Sequence, residues 1–454
     1  MEDLQLAKKY NVPVPRYTSY PTVPYWKDKI DAKDWANEFT SRFKQDNNAA
    51  GISVYIHLPF CESLCTYCGC NKKITTNHGV EGDYIDAVLK EWRLYLDLVD
   101  EKPLIRELHL GGGTPTFFSP KNLERLINGI LHGAHKANDA EFSFEGHPNN
   151  TTKEHLQALY NLGFRRVSFG VQDNDPEVQR VINRIQPFEK VAAVTAWARE
   201  LGYRSINFDL IYGLPLQHMD GLRKTIADCI RLRSDRVAFY SYAHVPWTSR
   251  GQRLFDEKDL PGPEDKLQLY LAGKKLFLDG GYSDIGMDHF SVPGDDLHQA
   301  WKSGHLHRNF MGYTTQKTTM LIGLGVSAIS DIGTAFGQNA KALHDYYRLL
   351  DENVLPLQKG IFLTEEDIVF RRYILDLTCK GKTSFVEQCY EALKEFTFPQ
   401  LNLLQKDGLV KCTEHDVTIT DIGMQFVRVI SSAFDLHLLR NTGYKTTQTF
   451  SKAV

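Results

Sequence analysis

The chain has 454 residues, 42% of them hydrophobic and 24% charged, with a net charge of −3, the profile of a globular protein long enough for more than one domain. Near-neutrality argues against a nucleic-acid binder, which carries a basic excess. No apolar run approaches the ~20 residues of a membrane span, and MEDLQLAKKYNVPVPRYTSYPT lacks the apolar segment of a secretion signal, so a cytoplasmic protein with no membrane and no nucleic-acid partner is expected.

In chain order, residues 1–35 form an arm rich in aromatic side chains, among them Tyr17, Tyr20, Tyr25 and Trp26. It is expected to fold over the mouth of the domain that follows. Runs rich in Val, Ile, Phe and Tyr then recur as ISVYIHLPF (52–60), LIRELHLGGG (104–113), EFSFEGHP (141–148), RRVSFGVQ (165–172), RSINFDLIYGLP (204–215) and RVAFYSYAHVP (236–246). Amphipathic segments alternate with them, including 84–99, 121–137 and 188–202, which read as helices. Strand followed by helix, six times over, is the pattern of parallel βα units with right-handed crossovers. Six units are too few for a closed eight-fold barrel, so residues 36–265 are expected to form an α/β partial barrel with an open side. Polar and Gly-rich residues cluster after each apolar run, at the strand ends where barrel folds place their active sites.

Beyond PGPED (261–265), residues 266–454 are expected to form a mainly α-helical C-terminal domain, starting with a helix over 266–279. GLVKCTEHDVTIT (408–420) suits a small hairpin, as in a winged helix. Residues 361–454 hold 11 Lys/Arg against 12 Asp/Glu, a difference of −1, which favours a structural cap over a nucleic-acid module.

The stretch FCESLCTYCGC (60–70) holds four of the eight cysteines. Disulfides are not expected where cytosolic thiols stay reduced, and the isolated Cys229, Cys379, Cys389 and Cys412 read as small buried hydrophobes. Cys61, Cys65 and Cys68 are spaced C-x3-C-x2-C, with Cys70 following. Structural zinc normally draws on two separated ligand pairs, and no second C-x2-C or H-x3-H pair follows. Three closely spaced thiolates suit an iron–sulfur cluster; structural zinc and unliganded core cysteines are the alternatives.

This loop, with Tyr67 before its third cysteine, resembles the signature of the radical S-adenosylmethionine (SAM) superfamily. The resemblance implies a 4Fe–4S cluster on Cys61, Cys65 and Cys68, with SAM on the fourth iron, and a radical SAM (β/α)6 partial barrel. A reduced cluster would cleave SAM to a 5′-deoxyadenosyl radical that takes hydrogen from unactivated carbon. Together with PRYTSYPT (15–22), GGGTPT (111–116), GVQD (170–173), NFDLIYGLP (207–215), GMDHF (286–290), HRNFMGYTTQ (307–316) and GLGVSAIS (323–330), the loop looks like that of the oxygen-independent coproporphyrinogen III oxidase family. That implies conversion of two propionates of coproporphyrinogen III to vinyls in heme biosynthesis.

Carried over position by position, the resemblance implies that Tyr55, Tyr67, Gly112, Glu145 and Ile329 contact the cluster-bound SAM. Gly113, Thr114, Gln172, Arg184, Asp209 and Ala243 match positions around a second SAM, and Cys70 matches an extra cysteine outside the cluster. Arg16, His57 and Arg308 are candidates to meet the substrate's propionates, while His57, His109 and His289 could equally be core histidines. A reducing partner such as flavodoxin or ferredoxin and a monomeric state are also implied. The chain departs from the family pattern at Gly146-His147, where an apolar residue and Asp are common, and at Asn174, where an aromatic is expected. A heme chaperone or another tetrapyrrole-acting radical SAM protein is the alternative, the chaperone being disfavoured by Cys68-Gly69-Cys70 in place of CDF and by the PRYTSYPT arm.

Overall fold

The computed structural model describes residues 2–247 and 249–441. Six parallel strands, β1 (Ile52–Leu58), β2 (Leu104–Gly112), β3 (His135–Gly146), β4 (Phe164–Gln172), β5 (Ser205–Tyr212) and β6 (Arg236–Ser241), lie side by side in chain order. Helices Val80–Leu96, Pro120–His132, Lys153–Asn161, Phe188–Leu201, Met219–Arg231 and Pro263–Asp279 follow them in turn. This is the expected partial (β/α)6 barrel.

A period of two along each strand divides its residues between two environments. Outward-facing Val54, Ile56, Leu108, Leu110, Phe142, Phe144, Val167, Phe169, Ile206, Phe208, Val237 and Phe239 are buried with the helices in one large core. The alternate positions are polar and line the interior: His109, Ser143, Glu145, Arg166, Ser168, Asn207, Asp209 and Arg236. The register stacks them in layers, with His109 beside Ser143, Ser143 beside Arg166, Ser168 beside Asn207, and Asn207 beside Arg236.

Two differences from the sequence expectation stand out. The segment 121–137 is not helical throughout: the helix stops at His132, and β3 begins at His135, where pairing of His135 with Leu104 and Lys136 with Ile105 takes over. The C-terminal part, though mainly helical, also adds strands to the barrel sheet, which the sequence did not announce. Strand Met320–Leu324 pairs in parallel with β1 on its free edge, and Ile329–Asp331, Ala335–Asn339 and Leu357–Phe362 continue the same sheet. At the other edge, His289–Ser291 pairs with β6 and Ser283–Gly286 follows it. The apolar run MLIGL (320–324) is buried at every position, as a strand covered on both faces requires.

The hairpin His307–Asn309/Gly312–Thr314 approaches the N-terminal end of β2. Buried Glu107 accepts from Thr314 Oγ1 at 2.7 Å, Asn309 Nδ2 at 3.3 Å and Ser53 Oγ at 2.7 Å. The mainly helical part starts with Glu365–Lys380, capped by a reciprocal Thr364–Asp367 box. A small sheet of Lys382–Ser384, Asp416–Ile419 and Val410–Cys412 contains the expected hairpin. The arm packs into this second core through Tyr10, Val14, Tyr17 and Tyr20. Arg428 Nη2 donates to Val14 O at 2.6 Å, and Arg16 pairs with Asp288 at 3.1 Å while lying over the Tyr240 ring. Among the described residues no helix is long and apolar enough to cross a membrane.

Candidate active site

The cysteine loop leaves the C-terminal end of β1 and is closed at its base by short parallel pairing of Phe60–Cys61 with Lys73–Ile74. Its backbone is fastened on two sides. Thr66 N donates to Ile182 O at 3.0 Å, while Gln252 Nε2 donates to Tyr67 O at 3.0 Å and Ser249 Oγ to Cys68 O at 3.2 Å. Lys72 Nζ reaches back to Cys68 O at 2.9 Å and Cys70 O at 3.3 Å. All four sulfurs line one cavity, with Cys61, Cys65 and Cys68 half-buried and Cys70 exposed.

The thiols sit in different surroundings. Thr114 Oγ1 donates to Cys61 Sγ at 3.3 Å, although burial outweighs that donor and pushes Cys61 up to about 11. Arg184 Nη1 stands 3.6 Å from Cys65 Sγ. Cys68 is pulled down to about 6, chiefly by hydrogen bonding from Cys70 and then, against burial, by the Lys72 charge. The donors and cations around the loop act toward the thiolate, the form that binds metal, and prevail over burial at Cys68 but not at Cys61.

Facing the loop is the glycine-rich end of β2. Gly113 N donates to Leu58 O and Thr114 N to Phe60 O, at 2.8 and 3.0 Å. A Cβ on Gly113 would lie 2.5 Å from Pro59 O, and Gly112 has φ +113°, so side chains are excluded here by contact and by backbone conformation. Gly112 N donates to Glu145 Oε2 at 3.2 Å. Asp209 accepts from Ser168 Oγ and Asn207 Nδ2, both at 2.8 Å, yet burial still raises its carboxyl to about 6. Arg184 is anchored through Nη2 to Gly170 O at 2.6 Å, and its Nε is buried with no partner among the described residues.

The structure brings Cys61, Cys65, Cys68, Tyr67, Gly112, Gly113, Thr114, Glu145, Gln172, Arg184 and Asp209 to this one cavity. Tyr55 and Ile329 line a second cavity that shares Cys70, Gly112 and Glu145 with it. A third lies deeper in the barrel, beyond Glu145, Asp209 and Tyr240. Ala243 lines none of these three; its carbonyl accepts from Gln252 Nε2 at 3.1 Å, the same group that holds Tyr67 O. His57 is not a cation: burial lowers its basicity, and its two ring nitrogens bond Tyr55 Oη at 3.1 Å and Asn71 O at 2.9 Å. His289 is likewise held to about 3 by burial and by Arg308. Arg308 is 6% exposed, with Nε and Nη1 unpartnered among the described residues. The motifs gave no notice of Tyr240, Asn150 and Lys72 as cavity residues, and marked His147 only as a departure from the family pattern. The strand alternation 236, 238, 240 was a usable signal for Tyr240.

Among the described residues, no three Cys, His, Asp or Glu side chains stand close enough to hold a single metal ion. The thiols instead line one cavity wall together. Structural zinc needs ligands converging on one point, whereas a multi-iron cluster takes its thiolates on separate irons. The donor set therefore fits a cluster.

Residues 55–229 match the model of the Radical SAM superfamily. The oxygen-independent coproporphyrinogen III oxidase of Synechocystis sp. is 36% identical, over 99% of this chain and 97% of its own length. Its namesake from Escherichia coli K12 is 38% identical over 96% and 95%. The solved structure of coproporphyrinogen III oxidase (HemN) from Escherichia coli, described as a radical SAM enzyme, covers 93% of this chain and 97% of that one, with a TM-score of 0.88 and 38% identity. The chain belongs to the oxygen-independent coproporphyrinogen III oxidase family of the radical SAM superfamily.

Proposed function

We propose that the chain catalyses the oxygen-independent oxidative decarboxylation of two propionates of coproporphyrinogen III to vinyls, giving protoporphyrinogen IX. The observation that carries this reading is one cavity lined by the three spaced thiols, a side-chain-free strand end, and the carboxyl groups of Glu145 and Asp209, in a chain similar to these oxidases over nearly its whole length. A 4Fe–4S cluster with SAM supplies, when bound, a carbon-centred radical able to take hydrogen from an unactivated C–H bond.

Cys61, Cys65 and Cys68 would hold the cluster, with Lys72 and Arg184 offsetting its negative charge. Tyr55, Tyr67, Gly112, Glu145 and Ile329 would contact the SAM on the cluster. Gly113, Thr114, Gln172, Arg184, Asp209 and Ala243 would contact a second one. The bare Gly112 and Gly113 let the backbone approach a ligand closely, and Glu145 and Asp209 accept hydrogen bonds from ammonium or ribose hydroxyl groups. The adjoining cavity of about 560 Å³ falls within the range of ligand sites, and Arg308 is the candidate partner for a propionate carboxylate. The arm, with Arg16 beside Tyr240, would cover the barrel mouth and limit access of water. Residues 1–35, 36–265 and 266–454 are proposed as the arm, catalytic and C-terminal regions, with strands of the C-terminal region extending the barrel sheet at both edges. A one-electron donor protein such as flavodoxin or ferredoxin would reduce the cluster, and the monomer is the proposed working form.

Serine variants test the cluster assignment. Cys61→Ser, Cys65→Ser and Cys68→Ser are each expected to lose most iron and acid-labile sulfide after anaerobic reconstitution, while Cys70→Ser retains them. Equal iron loss in all four, or in none, would contradict the assignment.

A further inference from the structure

His147 opens the turn after β3, and all its polar groups but one are committed. Its backbone N–H donates to Thr116 Oγ1 at 3.3 Å, while its carbonyl accepts from Asn150 N, Thr151 N and Thr151 Oγ1 at 2.9 Å each. Ring Nδ1 accepts the backbone N–H of Asn149 at 3.1 Å. A ring nitrogen that accepts carries no proton, so this contact selects the neutral tautomer with its hydrogen on Nε2. Nε2 has no hydrogen-bond partner among the described residues, and the imidazole lines the cavity of the three thiols. This is a donor oriented in advance, without an acceptor from the protein.

A second donor lies beside it. Asn149 Nδ2 donates to Ile185 O at 2.8 Å, so the residue that fixes the imidazole also fastens its turn to the chain next to Arg184. Arg184 uses Nη2 on Gly170 O and Nη1 on Cys65, which leaves its buried Nε–H unpartnered among the described residues. Arg184 lies close enough that its charge, together with burial, keeps His147 neutral. Two N–H donors, one cationic, on linked segments of a single wall match a carboxylate. They offer nothing to an ammonium group, for which Glu145 and Asp209 stand across the same cavity.

We propose that His147 Nε2–H binds the carboxylate at the amino-acid end of the second SAM, acting beside Arg184 as a ligand-binding residue. This rests on the reading of the cavity as a SAM site. The test is anaerobic equilibrium dialysis of the cluster-loaded protein against SAM and, separately, against 5′-methylthioadenosine, which lacks the amino-acid carboxylate. His147→Phe keeps a planar ring and removes the donor. It is expected to weaken SAM binding about tenfold with 5′-methylthioadenosine binding unchanged, and His147→Gln, which restores an N–H of similar reach, recovers most of the loss. Iron content and melting temperature equal to the parent protein's exclude misfolding as the cause. Undiminished SAM binding by His147→Phe, or equal loss of both ligands, would overturn the proposal. No SAM binding by the parent protein would overturn the site reading and this proposal with it.

Discussion

Arg184 Nη1 stands 3.6 Å from Cys65 Sγ, joining the loop after β4 to the cysteine loop after β1. A fixed positive charge beside a cluster ligand makes the reduced, more negative state easier to reach. Arg184→Gln removes that charge, so the potential of the reconstituted cluster, titrated without SAM and followed by electron paramagnetic resonance, is expected to become more negative. An unchanged or more positive potential would contradict the role given to Arg184.

Gly113 is held where no side chain fits. Its added Cβ would meet Pro59 O at 2.5 Å, and that carbonyl is fixed by accepting from Lys73 N at 2.8 Å. Gly113→Ala is expected to cost about 1–3 kcal/mol of stability, the range for overpacking, and to displace the cysteine loop. Urea unfolding and iron content after reconstitution both read this. A variant as stable and iron-replete as the parent would show that the strand end tolerates a side chain.

Glu91, on the helix Val80–Leu96, is fully buried and accepts from Gly325 N at 2.8 Å, Tyr346 Oη at 2.6 Å and Asn339 Nδ2 at 2.6 Å. Burial outweighs these donors and raises its carboxyl to about 7 from 4.5. Between those values the folded chain retains a proton that the unfolded chain has released. Its contribution to stability is therefore present at the acid end of the window and declines as pH rises through 7. A protonated-carboxyl infrared band that fades with a midpoint near 7 is expected in the parent, and that component should be missing from Glu91→Gln. A parent spectrum without that band in mildly acidic buffer would contradict this.

Tyr17 of the arm donates to Asp435 Oδ2 at 3.1 Å, and both side chains are buried. Tyr17→Phe leaves a buried carboxylate one donor short, with an expected cost of about 1–3 kcal/mol. Because this contact lies among the C-terminal helices, iron content is expected to stay unchanged. Loss of iron in this variant would show that the arm supports the cluster loop directly.

The barrel was legible because its strands alternate strictly: outward residues such as Phe142 and Phe144 are apolar, while their neighbours Ser143 and Glu145 are polar. The cysteine loop was legible through spacing alone. The start of β3 was not, because AHKANDA (134–140) has the composition of a helix end and becomes strand only by pairing with Leu104 and Ile105. Strand Met320–Leu324 was missed because its place beside β1 depends on contacts between residues far apart in sequence. His147 stood out only as a departure from a family pattern. Its importance comes from the turn that turns Nδ1 toward Asn149, which composition does not encode.

The measurement that tests the central claim most directly is product analysis under strict anaerobiosis. Protein reconstituted with iron and sulfide would receive SAM, coproporphyrinogen III, a reductant and an electron acceptor, with products followed by mass spectrometry. The account predicts a porphyrinogen lighter by two CO2 and four hydrogens, formed together with 5′-deoxyadenosine. 5′-Deoxyadenosine or bound heme without decarboxylation, in protein whose cluster is intact, would contradict it.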